Sequence, residues 1–360
     1  MADPAIQKHL LKAVLALPRP VLRAASGGRA VYVGGRTLEP RFQFLIHAAK
    51  HYGSTEGLPD DKAREARAQQ MALVTGRREP GVRHEDLILD GPHGPIDARV
   101  YRPEAQDPDM PLIVYAHGGE TLDGGFENND AFCSILARCG HAPVLAMPRH
   151  PSPDRRFRAC LDDVQFAYRW GRDNAAGFDA PAGVAAIAGE SIGGGFAALV
   201  CQELKRRGEP QPKLQLLLYP WVDMSSHSPS MTDYADTTVA PQDGGSWEAG
   251  RFLGPEDDPA DPKCSALRCV DLSGLAPAVV VTAGFDPLVD QGQAYARRLR
   301  AAGVPLVYRC YDHLVHGFAA FTGVVPAADV ACREVAGLVR EGLQGRIPTP
   351  AAQASAHPAG

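Results

Sequence analysis

Three side chains that together could transfer an acyl group each follow a predicted strand of this sequence. Ser191 lies within AIAGESIGGGFA, Asp286 follows VVVTAGF, and His316 follows YRCYDHLV. A serine hydroxyl becomes a strong nucleophile when an imidazole removes its proton, and the imidazole needs a carboxylate to fix its tautomer and stabilise its cation. The sequence therefore predicts that Ser191 is a nucleophile, Asp286 an acid and His316 a base.

The residues around Ser191 are typical of a sharp turn between a strand and a helix. Residues 184–188, VAAIA, form an apolar run that predicts a buried strand, and FAALVCQELKRR after the turn has apolar residues at helical spacing. A structural alternative exists, because glycines serve such turns and serine is a common helix N-cap. We favour the nucleophile, since the helix behind Ser191 directs its N-terminus at the hydroxyl and stabilises developing negative charge.

Backbone N–H groups near Ser191 are candidates for an oxyanion hole. The predicted strand LIVYA is followed by HGGE, and Ile192 is the residue after the serine. We predict that the hole is formed by Gly118, Gly119, Glu120 and Ile192, where each donor typically contributes ~3 kcal/mol of transition-state stabilisation. We predict that the Glu120 carboxylate turns away toward a cation or a hydrogen-bond donor, or that it is partly protonated; the alternative is that it points into solvent at the pocket mouth.

Alternating strand and helix patterns from His84 onward must position these groups. After the predicted hairpin EDLILDGPHGPIDARVYRP, strand-like runs such as LIVYA, PVLAM, LQLLLYP and PLVYRCY alternate with helix-like runs such as NNDAFCSILARCG and QGQAYARRLRAAG. Repeated βα units predict an α/β fold, a mostly parallel central sheet with helices on both faces. Because the carboxyl ends of parallel strands meet at one edge, Ser191, Asp286 and His316 are expected to converge there.

The hydrophobic periodicity and the turn content of the sequence divide the chain into three parts. Residues 1–80 contain helix-like pieces and almost no strand-like alternation, which predicts an N-terminal helical cap or lid. Residues 81–345 form the predicted catalytic domain, in which the turn-rich interval 221–275 is an insertion that contributes to the cap. The small, polar and proline-broken tail 346–360 is predicted to be disordered.

Residues from about 86 to about 343 resemble the bacterial hormone-sensitive-lipase-like family of carboxylesterases, a branch of the α/β-hydrolases. The motifs that carry the resemblance are DPLVD at 286–290, VHGF at 315–318, and LIVYAHGG, which is similar to the strand and loop of the family motif H-G-G-G. The resemblance implies an α/β-hydrolase fold with Ser191, Asp286 and His316 as the triad, and N-terminal helices that form part of the lid. The sequence departs from the family pattern at GESIG, where G-D-S-A-G is usual, and at Glu120, which replaces the third glycine.

Neighbouring residues compete for two of these roles. His313 and His117 are alternatives to His316 as the base, but only His316 precedes Gly-Phe as the family motif requires, and His117 is better suited to orienting the glycine turn. Asp290 is the alternative to Asp286 as the acid. Its place at the start of the next predicted helix indicates a helix N-terminal charge instead.

Composition narrows the class of protein further. The chain has 360 residues and a formal net charge of −5, so nothing in its charge favours nucleic acid as a partner. No apolar run is long enough to predict a membrane span. The eight cysteines are scattered without metal-ligand spacing, which indicates reduced cysteines in a cytoplasmic protein. The acidic stretch GPEDDPAD at 254–261 invites a calcium site, but it lacks EF-hand spacing and favours a solvated loop.

These features predict a serine carboxylesterase that hydrolyses short- to medium-chain acyl esters through an acyl-enzyme. The predicted partner is a small-molecule ester, with no nucleic acid and no integral membrane association, and no metal or organic cofactor is needed. An amidase or deacetylase with the same triad is an alternative within catalysis, and a non-catalytic small-molecule receptor is an alternative from another class. The oligomeric state stays open, with a homodimer as one alternative.

Overall fold

An eight-stranded, mostly parallel sheet forms the centre of the protein. The computed structural model describes residues 4–52, 60–118, 125–148, 157–237, 239 and 252–349. Across the sheet the strand order is β10-β9-β8-β7-β5-β6-β4-β3. The strand bounds are β3 Val82–Gly91, β4 Gly94–Pro103, β5 Leu112–Ala116, β6 Val144–Met147, β7 Ala185–Glu190, β8 Gln215–Leu218, β9 Ala278–Phe285 and β10 Leu306–Val315.

The strand sequences explain both kinds of pairing in this sheet. Every residue of β5, β6, β7, β8 and β9 is buried, as expected for parallel strands that are covered on both faces. The predicted hairpin forms β3 and β4, which pair antiparallel with Leu89 opposite Ile96, and β4 then pairs antiparallel with β6. The prediction of a mostly parallel sheet with helices around it is confirmed.

Helices cover the two faces of the sheet and create a separate hydrophobic core on each side. One core contains buried side chains of α5 and α10, and the other contains those of α6, α7 and α9. The bounds are α5 Asp130–Gly140, α6 Phe157–Asp173, α7 Ile192–Arg206, α8 Pro229–Asp233, α9 Val289–Ala301 and α10 Pro326–Leu343. None of the helices in the described ranges is long and apolar enough to cross a membrane.

The N-terminal part of the chain contains four helices and a small two-stranded ribbon. The sequence analysis predicted helices here but not the ribbon. The helices are α1 Pro4–Leu15, α2 Arg19–Ala24, α3 Pro40–Tyr52 and α4 Asp60–Val74, and the ribbon pairs β1 Tyr32–Val33 with β2 Arg36–Thr37. Gly34 and Gly35 form its turn with φ of 58° and 80°, a conformation that glycine adopts without strain.

The N-terminal helices share their core with the sheet. Leu15, Leu22, Phe42 and Val74 belong to the same buried cluster as the side chains of α5 and α10. Phe42 packs edge-to-face on Phe321, with 5.3 Å between the ring centroids. The first helices are therefore an integral layer over one face of the sheet. The segment predicted as an insertion, as far as it is described, contains α8 and short 3₁₀ turns at residues 235–237 and 266–268.

Candidate active site

Ser191 occupies a strained turn between β7 and α7. Its φ and ψ are 52° and −124°, and its side chain makes no capping hydrogen bond. Such a positive φ is uncommon outside glycine, asparagine and aspartate and costs of order 1–3 kcal/mol. The flanking glycines are required for close approach: a Cβ on Gly189 would lie 2.3 Å from the Gly193 carbonyl oxygen, and one on Gly193 would lie 2.3 Å from the Ala116 oxygen. The turn therefore presents the hydroxyl outward, and the geometry does not support a helix cap.

The structure brings the three predicted catalytic side chains together. His316 Nε2 lies 3.0 Å from Ser191 Oγ, and His316 Nδ1 lies 2.9 Å from Asp286 Oδ2. The carboxylate of Asp286 is fully buried, and its other oxygen, Oδ1, accepts the Leu288 N–H at 2.8 Å. A buried carboxylate whose second oxygen is fixed by the backbone can hold the imidazole with Nδ1 protonated and Nε2 free to accept the serine proton.

The competing residues lie elsewhere. Asp290 is in the first turn of α9, and its Oδ2 accepts the Ser230 N–H at 3.0 Å. The carbonyl oxygen of His313 accepts the Glu39 N–H at 3.0 Å. Asp290 therefore links α8 to α9, and His313 links the segment before α3 to β10.

Glu190 is the residue of this site that the sequence analysis missed as a functional group. It is the last residue of β7 and is buried directly before the nucleophile. Tyr219 donates its hydroxyl to Glu190 Oε2 at 2.5 Å, the Asn129 amide donates to Oε1, and the Gly118 N–H donates to Oε1 at a longer 3.4 Å. Burial raises the pKa of Glu190, and these three donors and the charge of His316 oppose that shift. One carboxylate therefore ties three separate segments to the serine turn.

Two of the donors have further consequences for the site. The Tyr219 ring packs edge-on against His316, with 4.9 Å between centroids. Asn129 precedes α5 as its N-cap residue, but its side-chain oxygen makes no capping hydrogen bond, and its amide NH₂ donates to Glu190. An acidic residue immediately before a predicted nucleophile was the only sequence signal for this network.

The predicted oxyanion hole is described in part. A Cβ on Gly118 would lie 2.8 Å from the Glu190 carbonyl oxygen and 3.0 Å from Ser191 Cβ, so this glycine lies directly against the serine turn. Ile192 is the first residue of α7, where backbone N–H groups lack intrahelical partners. Gly119 and Glu120, including the predicted orientation of the Glu120 carboxylate, lie outside the described residues.

His117 is the buried residue between β5 and Gly118. It is buried, and its ring packs edge-to-face on Tyr115 and Phe126 with centroid distances of 5.4 Å and 6.0 Å. Burial, followed by the nearby charge of Arg99, lowers the pKa of His117 to about 3. The imidazole is therefore neutral throughout the ordinary pH range.

The acidic stretch 254–261 bonds its aspartates to backbone N–H groups of its own loop and to one arginine of α6. Asp257 accepts the Gly254 N–H and also pairs with Arg158, Asp258 accepts the Ala260 N–H, and Asp261 accepts the Lys263 N–H. The contacts of Asp258 and Asp261 are Asx-type turns, which side-chain carboxylates form without a metal ion. Within the described ranges, no group of three or more His, Cys, Asp or Glu side chains has metal-binding geometry.

The fold and the serine turn define the class of the protein. A profile of the α/β hydrolase fold family matches residues 113–320, more than half of the chain. The chain belongs to this family, in its hormone-sensitive-lipase-like branch, and is a serine hydrolase that acts on carboxylic esters.

Individual relatives are consistent with that class. The chain is 36% identical to the carboxylic ester hydrolase LipN of Mycobacterium tuberculosis over 84% of this chain and 82% of LipN. It is 30% identical to an ethyl acetate hydrolase of Pseudomonas putida, over 79% and 92%. Among solved structures, an ester-hydrolase from the metagenome of Lake Arreo, complexed with a derivative of bipyridine phosphonate, superposes with a TM-score of 0.78 at 32% identity, over 85% of this chain and 99% of that one.

Proposed function

We propose that the protein hydrolyses short- to medium-chain acyl esters through an acyl-enzyme on Ser191, with His316 as the base and Asp286 as the triad acid. The observation that carries this proposal is the pair of hydrogen bonds that joins Ser191 Oγ to His316 Nε2 and His316 Nδ1 to Asp286 Oδ2. The relative named ethyl acetate hydrolase supports a short acyl group.

In the first half of the reaction, His316 Nε2 takes the proton of Ser191 as Oγ attacks the ester carbonyl carbon. The carbonyl oxygen becomes an oxyanion, stabilised by the N–H of Ile192 at the start of α7 together with those of Gly119 and Glu120. When the tetrahedral intermediate collapses, the C–O bond to the alcohol breaks and His316 donates its proton to the leaving oxygen. The products are the free alcohol and an ester of Ser191.

In the second half, water replaces the alcohol. His316 accepts a proton from the water as its oxygen attacks the acyl carbon, and a second tetrahedral intermediate forms at the same oxyanion site. Its collapse breaks the bond to Ser191 Oγ, which regains its proton from His316, and releases the carboxylic acid. Asp286 stays ionised throughout and stabilises the imidazolium in both halves.

Glu190 acts in this proposal as a positioning residue. Its carboxylate holds Gly118 at the loop, Asn129 before α5, and Tyr219 against His316. The Gly118 N–H donates to Glu190, so Gly118 shapes the oxyanion loop. Gly119, Glu120 and Ile192 supply the N–H donors of the oxyanion hole.

The N-terminal helices and the 221–275 segment are proposed to cover the acyl pocket. The contact of Phe42 on α3 with Phe321, five residues after His316, supports this placement. A cover built on the same core as the sheet shapes the pocket rather than opening as a separate domain.

A series of p-nitrophenyl esters from acetate to palmitate, measured beside the matching p-nitroanilides, tests the function. We expect the highest kcat/KM among the acetate to octanoate esters and little turnover of the anilides. A preference for anilides would assign an amidase, and binding without turnover in either series would assign a receptor. The variant Ser191→Ala is the control for background hydrolysis.

A further inference from the structure

Strand β10 contains a bulge just before His316. The ladder between β9 and β10 is regular as far as the pair of Ala283 and Tyr311, and it resumes at the pair of Phe285 and Val315. Between these two pairs, three residues of β10 lie opposite a single residue of β9. Bulges bend a strand and change the direction of the side chains that follow, and they are frequent beside active sites. The position of His316 therefore depends on the shape of this bulge.

The pair that closes the bulge lies directly before the proposed acid and base. His316 follows Val315, and Asp286 follows Phe285, so the paired backbones bring the two side chains together. The hydrogen bond of 2.9 Å between His316 Nδ1 and Asp286 Oδ2 forms one residue beyond that pair. A change in the shape of the bulge would move the imidazole relative to the carboxylate.

Close backbone contacts hold the bulge in place. A Cβ on Gly284, the residue of β9 opposite the bulge, would lie 2.5 Å from Asp312 Cα, which is nearer than a real Cβ atom approaches. The carbonyl oxygen of His313, the next residue of the bulge, accepts the Glu39 N–H at 3.0 Å. The bulge is therefore packed against β9 and also bonded to the N-terminal segment.

Arg36 joins the two strands at this bulge. It lies on β2 of the N-terminal ribbon, its Nε donates to Asp312 Oδ1 at 3.0 Å, and its Nη1 donates to the Gly284 carbonyl oxygen at 3.1 Å. Nη1 also donates to the Tyr234 hydroxyl at 3.3 Å. The ion pair alone contributes little, because the Asp312 side chain is 66% exposed. The larger effect is geometric, since one planar guanidinium fixes three acceptors from three segments.

Tyr234 extends the contact to the residue before Asp286. Its ring packs edge-to-face on Phe285, with 5.5 Å between the centroids. The ribbon turn lies against its hydroxyl, because a Cβ on Gly34 would lie 2.8 Å from that oxygen. Arg36 therefore reaches the end of β9 in two ways, directly at the backbone and through the Tyr234 side chain.

We propose that Arg36 is a positioning residue, which holds the β10 bulge in the shape that places His316 against Asp286. It acts on the two side chains through the backbones of β9 and β10. Its effect on turnover rests on the proposed function, whereas its effect on the hydrogen bond between His316 and Asp286 does not.

The variant Arg36→Met tests the proposal, because methionine keeps much of the apolar stem and removes the side-chain donors. With p-nitrophenyl butyrate we expect kcat to fall roughly 10- to 100-fold and KM to change by less than about twofold, since a small displacement of a reacting group slows chemistry more than binding. Labelling of Ser191 by an organophosphonate should slow by a similar factor, because it depends on the same base. Asp312→Ala should give a smaller loss, and the double variant should lose no more than Arg36→Met alone, because both changes break one shared contact.

The matched control is Arg102→Met. The Arg102 side chain is also 26% exposed, pairs with the exposed carboxylate of Asp179, and donates to the backbone carbonyl oxygen of Gly177. It lies on β4, which four strands separate from β9. Both variants should lose some stability in urea unfolding, but Arg102→Met should keep kcat within about twofold of wild type. A purely structural role of Arg36 predicts that outcome for both variants.

Proton NMR provides a readout that needs no turnover. A proton in a short, charge-assisted hydrogen bond is strongly deshielded, so the His316 Nδ1 proton should give a far-downfield resonance that Asp286→Asn removes. We expect this resonance to shift upfield or to broaden in Arg36→Met and to stay unchanged in Arg102→Met.

Three results would overturn the proposal. The first is a loss of kcat below about fivefold in Arg36→Met. The second is an equal loss of kcat in Arg102→Met. The third is a His316 resonance that Arg36→Met leaves unchanged. If the wild-type protein does not hydrolyse esters but Arg36→Met still changes the resonance and Arg102→Met does not, only the proposed function is refuted.

Discussion

Replacement of Asp286 by asparagine should leave the fold unchanged but place the imidazole proton of His316 on the wrong nitrogen. In the wild-type structure Oδ1 accepts the Leu288 N–H at 2.8 Å and Oδ2 accepts from His316 Nδ1 at 2.9 Å. The asparagine oxygen must take the position of Oδ1, since the Leu288 N–H needs an acceptor, so the amide NH₂ faces His316. An NH₂ donor requires an unprotonated Nδ1. The imidazole proton then sits on Nε2, where it blocks acceptance of the Ser191 proton.

The size of the loss follows from the same two hydrogen bonds. Turning the amide over would restore the productive tautomer, but it would leave the buried Leu288 N–H facing a donor, at a cost of ~1–3 kcal/mol. That cost alone keeps the productive orientation at roughly one part in five to one part in 150. The missing carboxylate charge no longer stabilises the imidazolium, which brings the expected loss of kcat to about 10⁴-fold, or ~5.5 kcal/mol, as for the equivalent change in other Ser-His-Asp enzymes.

The assay is hydrolysis of p-nitrophenyl butyrate by Asp286→Asn, with thermal unfolding measured on the same samples. The matched control is Asp290→Asn, which alters a carboxylate four residues away that accepts the Ser230 N–H. We expect Asp290→Asn to retain most of its turnover and to lose some stability. An Asp286→Asn enzyme within tenfold of wild type, or a larger loss of kcat in Asp290→Asn, would refute the assignment of the acid.

Four further outcomes follow from the described contacts. Ser191→Ala should lose about 10⁶-fold in kcat while folding normally, and wild-type protein, but not the variant, should be labelled by an organophosphonate in intact-mass measurements. Glu190→Gln should lower kcat about tenfold with little change in KM or melting temperature, whereas Glu190→Ala should cost ~3–5 kcal/mol in urea unfolding because its buried donors lose their acceptor. The pKa of His117 is lowered to about 3 in the folded state, so below the unfolded value of ~6.5 the unfolded chain binds a proton that the folded protein does not, and stability falls with acid. Urea titrations should show that the free energy of unfolding decreases by about 2 kcal/mol between pH 7 and pH 5, and that His117→Gln abolishes this decrease. Phe42→Ala should cost ~3–5 kcal/mol by the same titration, although its helix lies outside the βα repeat.

The sequence predicted the central sheet and the placement of the three candidate catalytic residues for one physical reason. Ser191 and Asp286 follow buried, largely apolar strands, and His316 follows β10, a longer strand of mixed burial at the edge of the sheet; parallel strands deliver their carboxyl ends to one edge. Each strand can therefore be recognised from its local sequence, and the topology of a parallel sheet then brings the three residues together.

The Glu190 network could not be predicted in that way. Its donors, Asn129 and Tyr219, are 61 and 29 residues distant in the chain, and their meeting depends on rotamers and on the direction of single side chains. Asn129 would have been assigned as a helix cap by its position alone. The ribbon at residues 32–37 was also missed, although its glycine pair is a known hairpin signal, because two-residue strands have no periodicity to detect.

The contacts of the N-terminal layer also constrain the order in which the protein can be completed during synthesis. Glu39 bonds to His313, Gly76 to Thr322, and Phe42 packs on Phe321, so several partners of the N-terminal layer lie in the last sixth of the chain. Contacts over some 250 residues form late, and until then Phe42 on α3 lacks its contact with Phe321 in a growing chain. His316 itself is made 125 residues after Ser191. A nascent or prematurely terminated chain would therefore carry Ser191 without His316 and expose part of the surface that the finished fold buries. Under the proposed mechanism, such products would be inert toward esters.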